Sequence, residues 1–145
     1  IAHLVHSIAN NYKEQAKAND VTLTIGIEHV PNVLCDERRI KQVINNLISN
    51  AIKYSPDGGE VTVTLKEDGN EVFFEIKDEG IGIAPEYHSK IFERFYRVPG
   101  DSDIKGNGLG LAISYEILQK HGEQLFVQSA EGAGSRFYFK LPATH

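Results

Sequence analysis

The sequence predicts a single α+β sandwich. Three observations carry this: a wide apolar stripe at helical spacing over residues 37–54, several short runs of alternating apolar residues, and a hairpin signal at Asp68-Gly69-Asn70. A chain of 145 residues suffices for one domain with a sizeable core, which removes about two-thirds of the unfolded chain's surface from water. Lys and Arg total 15 against 20 Asp and Glu, and the net charge of -5 argues against a nucleic-acid partner held by a general basic field. The single Cys35 excludes an internal disulfide and fits a reducing compartment. No apolar run approaches the roughly 20 residues of a membrane span, and the first residues carry no secretory pattern.

Residues 1–18 read as a helix, with Leu4, Ile8, Ala9 and Tyr12 on one face. No start signal precedes that pattern, so a longer parent protein is expected, with this helix as its continuation into the present chain. Asn19-Asp20 breaks the helix. Val21, Leu23, Ile25 and Ile27 then alternate with Thr22, Thr24 and Gly26, the period of a half-buried strand. Pro31 ends that region, Val33-Leu34-Cys35 is a short apolar piece, and Asp36 is a good N-cap for a helix starting at residue 37.

Over residues 37–54, Ile40, Val43, Ile44, Leu47, Ile48, Ala51 and Ile52 form the helical stripe, which Ser55-Pro56-Asp57-Gly58-Gly59 terminates. Asn46, Asn50 and Lys53 share one edge of this helix. Asn is a poor helix former, so two of them beside a Lys invite a reason beyond propensity. Amide oxygens suit a hard cation such as magnesium, and an ammonium suits phosphate; a plain polar helix edge is the alternative.

Residues 61–65 and 72–76 read as antiparallel strands joined by the Asp-Gly-Asn turn, and the second delivers Asp78-Glu79-Gly80-Ile81-Gly82-Ile83. An acidic side chain at a strand mouth can accept a hydrogen bond from an exocyclic amine, and glycines without Cβ let a flat ring approach the backbone. That suits adenine, while the same residues also make an ordinary strand-ending turn. Pro85 opens a short helical pattern through Ile91, followed by the aromatic and arginine cluster Phe92-Glu93-Arg94-Phe95-Tyr96-Arg97. Residues 98–105 hold few apolar side chains and are expected to form a mobile loop.

Gly106-Asn107-Gly108-Leu109-Gly110-Leu111 leads into a helix ending at His121-Gly122, whose first free amides are placed to attract phosphate. A flexible hinge before a helix reads equally well. The spacing is neither a Walker loop nor, lacking a preceding strand, a dinucleotide-binding fingerprint. Leu125 and Val127, then Phe137, Phe139 and Leu141, give two closing strands around Glu131-Gly132-Ala133-Gly134.

Taken together, these stretches resemble the catalytic and ATP-binding domain of bacterial sensor histidine kinases, within the gyrase, chaperone, kinase and mismatch-repair ATPase superfamily. Gln42 to Ser55 matches the asparagine box, Asp78 to Ile83 the first glycine box and Phe92 to Arg97 the phenylalanine box. Gly106 to Leu111 matches the second glycine box, and Gly132-Ala133-Gly134-Ser135 with Phe137 the third.

The resemblance implies a Bergerat-type two-layer sandwich: a mixed, mostly antiparallel sheet covered by about three helices, with a mobile ATP lid. Residues 1–18 would be the tail of an upstream dimerisation helix or linker, and residues 19–145 the catalytic domain. It further implies that Asp78 binds the adenine amine, with Gly80, Gly82 and Ile83 lining the ring and Tyr54 beside it. Asn50 and Asn46 would hold Mg2+ on the phosphates of ATP. Lys53 would contact phosphate, Arg97 and Lys105 would meet the γ-phosphate, and the amides of Gly108, Leu109 and Gly110 would receive the phosphate chain. Asn50, Lys53 and Arg97 are thus the expected catalytic residues, and Phe92 and Phe95 are expected to seat the lid.

Two positions depart from the pattern. Asn107 stands where the family often has Thr, a change that would adjust lid closure or add a ligand near the metal, and Glu123 replaces a second Gly after Gly122 as a surface variation.

The implied reaction passes the γ-phosphoryl group to a histidine on a separate dimerisation and phosphoacceptor domain, then to an aspartate of a response regulator. The longer protein would be a cytoplasmic homodimer, or one attached to the inner face of the membrane. His3 and His6 lack the following acidic residue and Pro of an acceptor motif, so these two and His29, His88, His121 and His145 are read as structural. Alternative readings are a serine kinase of the anti-sigma type and a nucleotide-sensing module that transfers nothing.

Overall fold

The computed structural model describes residues 1–99 and 109–144. The expected mobile loop, apart from Val98 and Pro99, and Gly106, Asn107 and Gly108 of the second glycine box therefore lie outside the described residues.

The first helical pattern folds as α1 (Ala2–Asn11) and α2 (Lys13–Ala18), which meet at Tyr12. Val5, Ile8, Ala9 and Ala16 are buried in the same core as the rest of the chain. β1 (Val21–Ile27) follows, then a two-residue β2 (Asn32–Val33). The apolar piece at 33–35 contributes only Val33 to a strand, and Leu34 is 83% exposed. Next come α3 (Glu37–Lys53), β3 (Gly59–Asp68), β4 (Glu71–Asp78), α4 (Gly110–Lys120), β5 (Phe126–Ser129) and β6 (Ser135–Thr144).

The sheet runs β1-β3-β4-β6-β2, with β5 also paired to β6. Among the described residues only β1 and β3 pair in parallel, Val21 lying opposite Gly59 and Ile27 opposite Leu65, and the intervening α3 supplies the crossover that a parallel pair requires. All other pairings are antiparallel. Alternate side chains Val61, Val63, Leu65, Val72, Phe74, Ile76, Phe137, Phe139 and Leu141 enter the core with the α3 stripe. The Phe74 and Phe139 rings sit 5.0 Å apart between centroids.

Local signals act as expected where α3 starts and where α4 ends. The Asp36 carboxylate accepts from the Arg39 amide at 3.3 Å and caps α3. At the end of α4, Gly122 (φ +74°) turns the chain, Gly122 N–H donates to the Gln119 carbonyl and Glu123 N–H to the Leu118 carbonyl at 2.8 Å. That pair of bonds needs a left-handed residue at 122 only, so Glu at 123 is sterically free. The helix expected from Pro85 to Ile91 is instead a single 3-10 turn at Pro85–Tyr87 continued by turns, since a short segment cannot repay helix nucleation.

Candidate nucleotide site

β4 ends on Asp78, in register with Val61 of β3 and Ser135 of β6. Its side chain is buried, and Oδ1 accepts from the Gly80 amide at 2.9 Å and the Ser135 amide at 3.2 Å. Burial pushes the carboxyl up to about 6, against the pull of those two amides. Both bonds fall on one oxygen, so Oδ2 remains an acceptor for an outside donor such as an exocyclic amine.

The glycines beside it serve a purpose the sequence does not disclose. A Cβ on Gly80 would lie 1.8 Å from the Tyr54 carbonyl oxygen, and one on Gly82 (φ +71°) 1.9 Å from that of Ala130. A Cβ on Gly134 (φ +83°) would stand 2.1 Å from the Asp78 carbonyl oxygen. These glycines let three backbone segments touch: the end of α3, the loop after β4 and the β5–β6 turn. The Ile81 amide donates to the Tyr54 carbonyl at 3.1 Å and the Gly132 amide to the Ile81 carbonyl at 2.7 Å, sealing both contacts.

Ile83 is 6% exposed yet lies outside any strand or helix. Its amide donates to Ser129 Oγ at 2.7 Å, and its carbonyl accepts from His88 Nε2 at 2.9 Å.

The polar edge of α3 reaches from this loop to α4. Tyr54, half-buried, caps the end of α3 against Gly80, while Asn46 lies about 12 Å earlier along the axis at the helical rise per residue. Asn46 Nδ2 donates to the Gly110 carbonyl at 3.3 Å and to Ser114 Oγ at 3.4 Å, which turns its amide oxygen to other use. Asn50 is half-buried one turn on, and Lys53 is exposed in the last turn. A hard cation takes such amide oxygens, so the pair fits magnesium. Leu109 and Gly110, both half-buried, start α4 beside Asn46.

Phe92 stacks on Tyr115 of α4 at 4.8 Å, whereas Phe95 is 67% exposed with φ +65°. Arg97 is half-buried. Lys105, Asn107 and Gly108 lie outside the described residues. Direct contacts thus join Asp78, Gly80 and Tyr54 at the end of α3, and Asn46 with Gly110 earlier along it, while Gly82 and Ile83 are held by the β5–β6 turn, Ser129 and His88. Sequence reasoning missed Ser129, His88 and the Ser135 amide; only the position of Ser135 in a glycine-rich turn hinted at one of them.

Residues 35–145 match the model of the family described as histidine kinase-, DNA gyrase B-, and HSP90-like ATPase. The chain is 41% identical over 141 residues to the adaptive-response sensory kinase SasA of Rippkaea orientalis, covering 96% of this chain and 36% of that protein. It is 46% identical over 111 residues to the sensor histidine kinase WalK of Bacillus subtilis, covering 74% of this chain and 18% of that one. Among solved structures, the catalytic domain of histidine kinase ThkA superposes with a TM-score of 0.85 at 27% identity, covering 99% of this chain and 93% of its own. Full-length ShkA in complex with AMPPNP superposes with a TM-score of 0.86 at 30% identity, covering 99% of this chain and 30% of that one. With this fold, and with the buried carboxylate, asparagine edge and glycine contacts in place, the chain belongs to the histidine kinase-, DNA gyrase B-, and HSP90-like ATPase family, as a catalytic, ATP-binding domain of the sensor histidine kinase type.

Proposed function

We propose that this chain binds Mg-ATP and presents its γ-phosphoryl group to a histidine on a separate dimerisation and phosphoacceptor domain, for relay to a response-regulator aspartate. The observation that carries the reading is Asp78: a buried carboxylate held by two amides on one oxygen, with the other left to accept from adenine. Phosphoryl transfer asks a protein mainly for positioning and charge neutralisation. Magnesium and the triphosphate, once bound, supply the electrophilic phosphorus and screen its charge.

This chain's own residues do the rest. Asp78 selects the base, Gly80, Gly82 and Ile83 border it, and Tyr54 packs beside it. Asn50 and Asn46 offer amide oxygens to the metal, and Lys53 and Arg97 neutralise phosphate charge. Lys105, Asn107 and the amides of Gly108, Leu109 and Gly110 complete the phosphate end. Residues 1–18 would lead in from the dimerisation domain, and the longer protein would act as a homodimer on the cytoplasmic side, where ATP is available.

The test is transfer of label. With γ-labelled ATP the chain alone should carry no phosphohistidine, and an added acceptor domain should gain acid-labile label. Acid-stable label would favour a serine kinase of the anti-sigma type, and absence of label on any acceptor a nucleotide sensor. Robust self-labelling would contradict the proposal.

A further inference from the structure

We propose that Ser129 and His88 are positioning residues for the purine site, holding Ile83 from both sides and tying it through Ser135 to Asp78. The inference rests on the proposed nucleotide function, in which Ile83 and Asp78 border the base.

Ile83 needs such support. It is buried in a segment that belongs to no ladder or helix, and a buried backbone group without a partner costs as much as a lost hydrogen bond. Side chains from two other parts of the chain take both its groups: Ser129 Oγ receives the amide hydrogen, and His88 Nε2 donates to the carbonyl. The His88 bond requires its proton on Nε2.

Ser129 is saturated. A hydroxyl has one proton to donate and two lone pairs to accept with. Ser129 Oγ donates to the Gly134 carbonyl at 2.9 Å and accepts from Ile83, so the 2.8 Å contact with Ser135 Oγ must be a donation from Ser135. The Ser135 amide in turn holds Asp78 Oδ1. A continuous set of bonds therefore runs from the carboxylate, through Ser135 and Ser129, to the residue bordering the ring. In this arrangement Ser129 sets the separation between Asp78 and Ile83 without facing the base itself. That separation decides whether a ring touching Ile83 also places its amine on Asp78.

The experiment compares this chain with Ser129→Ala, Ser129→Thr, His88→Ala, His88→Gln and Asp78→Asn. Calorimetry with magnesium gives Kd for ATP and for GTP; amide exchange at Ile83 and the thermal midpoint are read in parallel. Ser129→Ala should weaken ATP about tenfold, the scale of one buried hydrogen bond, narrow the ATP over GTP preference and expose the Ile83 amide to exchange. His88→Ala should act in the same direction by about threefold. Ser129→Thr and His88→Gln, which keep the hydroxyl and a donor, should restore both affinity and preference. Unchanged ATP affinity in both alanine variants, with Asp78→Asn weakened, overturns this inference and leaves the nucleotide reading standing. Parallel loss of ATP and GTP binding with a lowered midpoint and no conservative rescue also overturns it, as a purely structural role. Failure of the unsubstituted chain to bind ATP removes the nucleotide reading and the inference with it.

Discussion

The main-chain amide of Ser135 donates to Oδ1 of Asp78 over 3.2 Å, so the first residue of β6 fixes the carboxylate that ends β4. The bond spans 57 residues of sequence and, with the Gly80 amide on the same oxygen, leaves the second carboxylate oxygen as an acceptor.

Asp78→Asn preserves shape but removes the charge that strengthens a hydrogen bond from an exocyclic amine. ATP affinity should fall on the order of 10- to 100-fold. Calorimetry checks it, and an unchanged Kd would take Asp78 out of the base site.

The same carboxyl links pH to stability. Its pKa is raised to about 6 in the folded chain from an ordinary 3.8, so between those values the folded state holds a proton that the unfolded state has lost. Protonation therefore favours folding at low pH, and this contribution disappears as pH rises through about 6, a change on the order of 3 kcal/mol. Relative to wild type, the nucleotide-free Asp78→Asn variant should gain stability between about pH 4 and pH 7. Paired urea titrations at the two pH values measure it, and a constant difference between the proteins refutes it. ATP affinity should move the opposite way, increasing as pH rises and the acceptor becomes ionised.

Glycine substitutions separate packing from conformational freedom. Gly80→Ala drives a Cβ into the Tyr54 carbonyl and Gly134→Ala one into that of Asp78, so each should cost several kcal/mol, in the approximate range of the largest single-residue effects. Gly122→Ala, with φ +74° and nothing within 4 Å, should lose only about 1 kcal/mol. Chemical denaturation ranks them, and similar losses at all three positions would contradict the close-approach account.

Asn50→Ala should cut magnesium-dependent ATP binding about tenfold while leaving magnesium-free binding and the melting midpoint nearly unchanged. Asn46→Ala should lower both, because its amide nitrogen also bonds to Gly110 and Ser114. Titrations with and without EDTA distinguish them. Equal sensitivity to EDTA in Asn50→Ala and wild type would remove Asn50 from the metal.

Much of this was legible in the residues themselves. The α3 stripe, its Asp36 cap, the alternating strands, the Asp68-Gly69-Asn70 hairpin and the Gly122 stop are each set by neighbours within a few positions, where side-chain period and turn chemistry act. The order of the glycine and asparagine stretches likewise announced the family. Tertiary structure alone decided that β1 lies parallel to β3, that Gly80, Gly82 and Gly134 serve backbone against backbone, and that Ser129 and His88 grip Ile83. Most of these contacts join segments far apart in the chain, and even the His88 bond depends on where a turn carries its ring. Local periodicity carries no trace of such meetings; they exist only once burial has brought the segments together and unsatisfied amides and carbonyls must find partners.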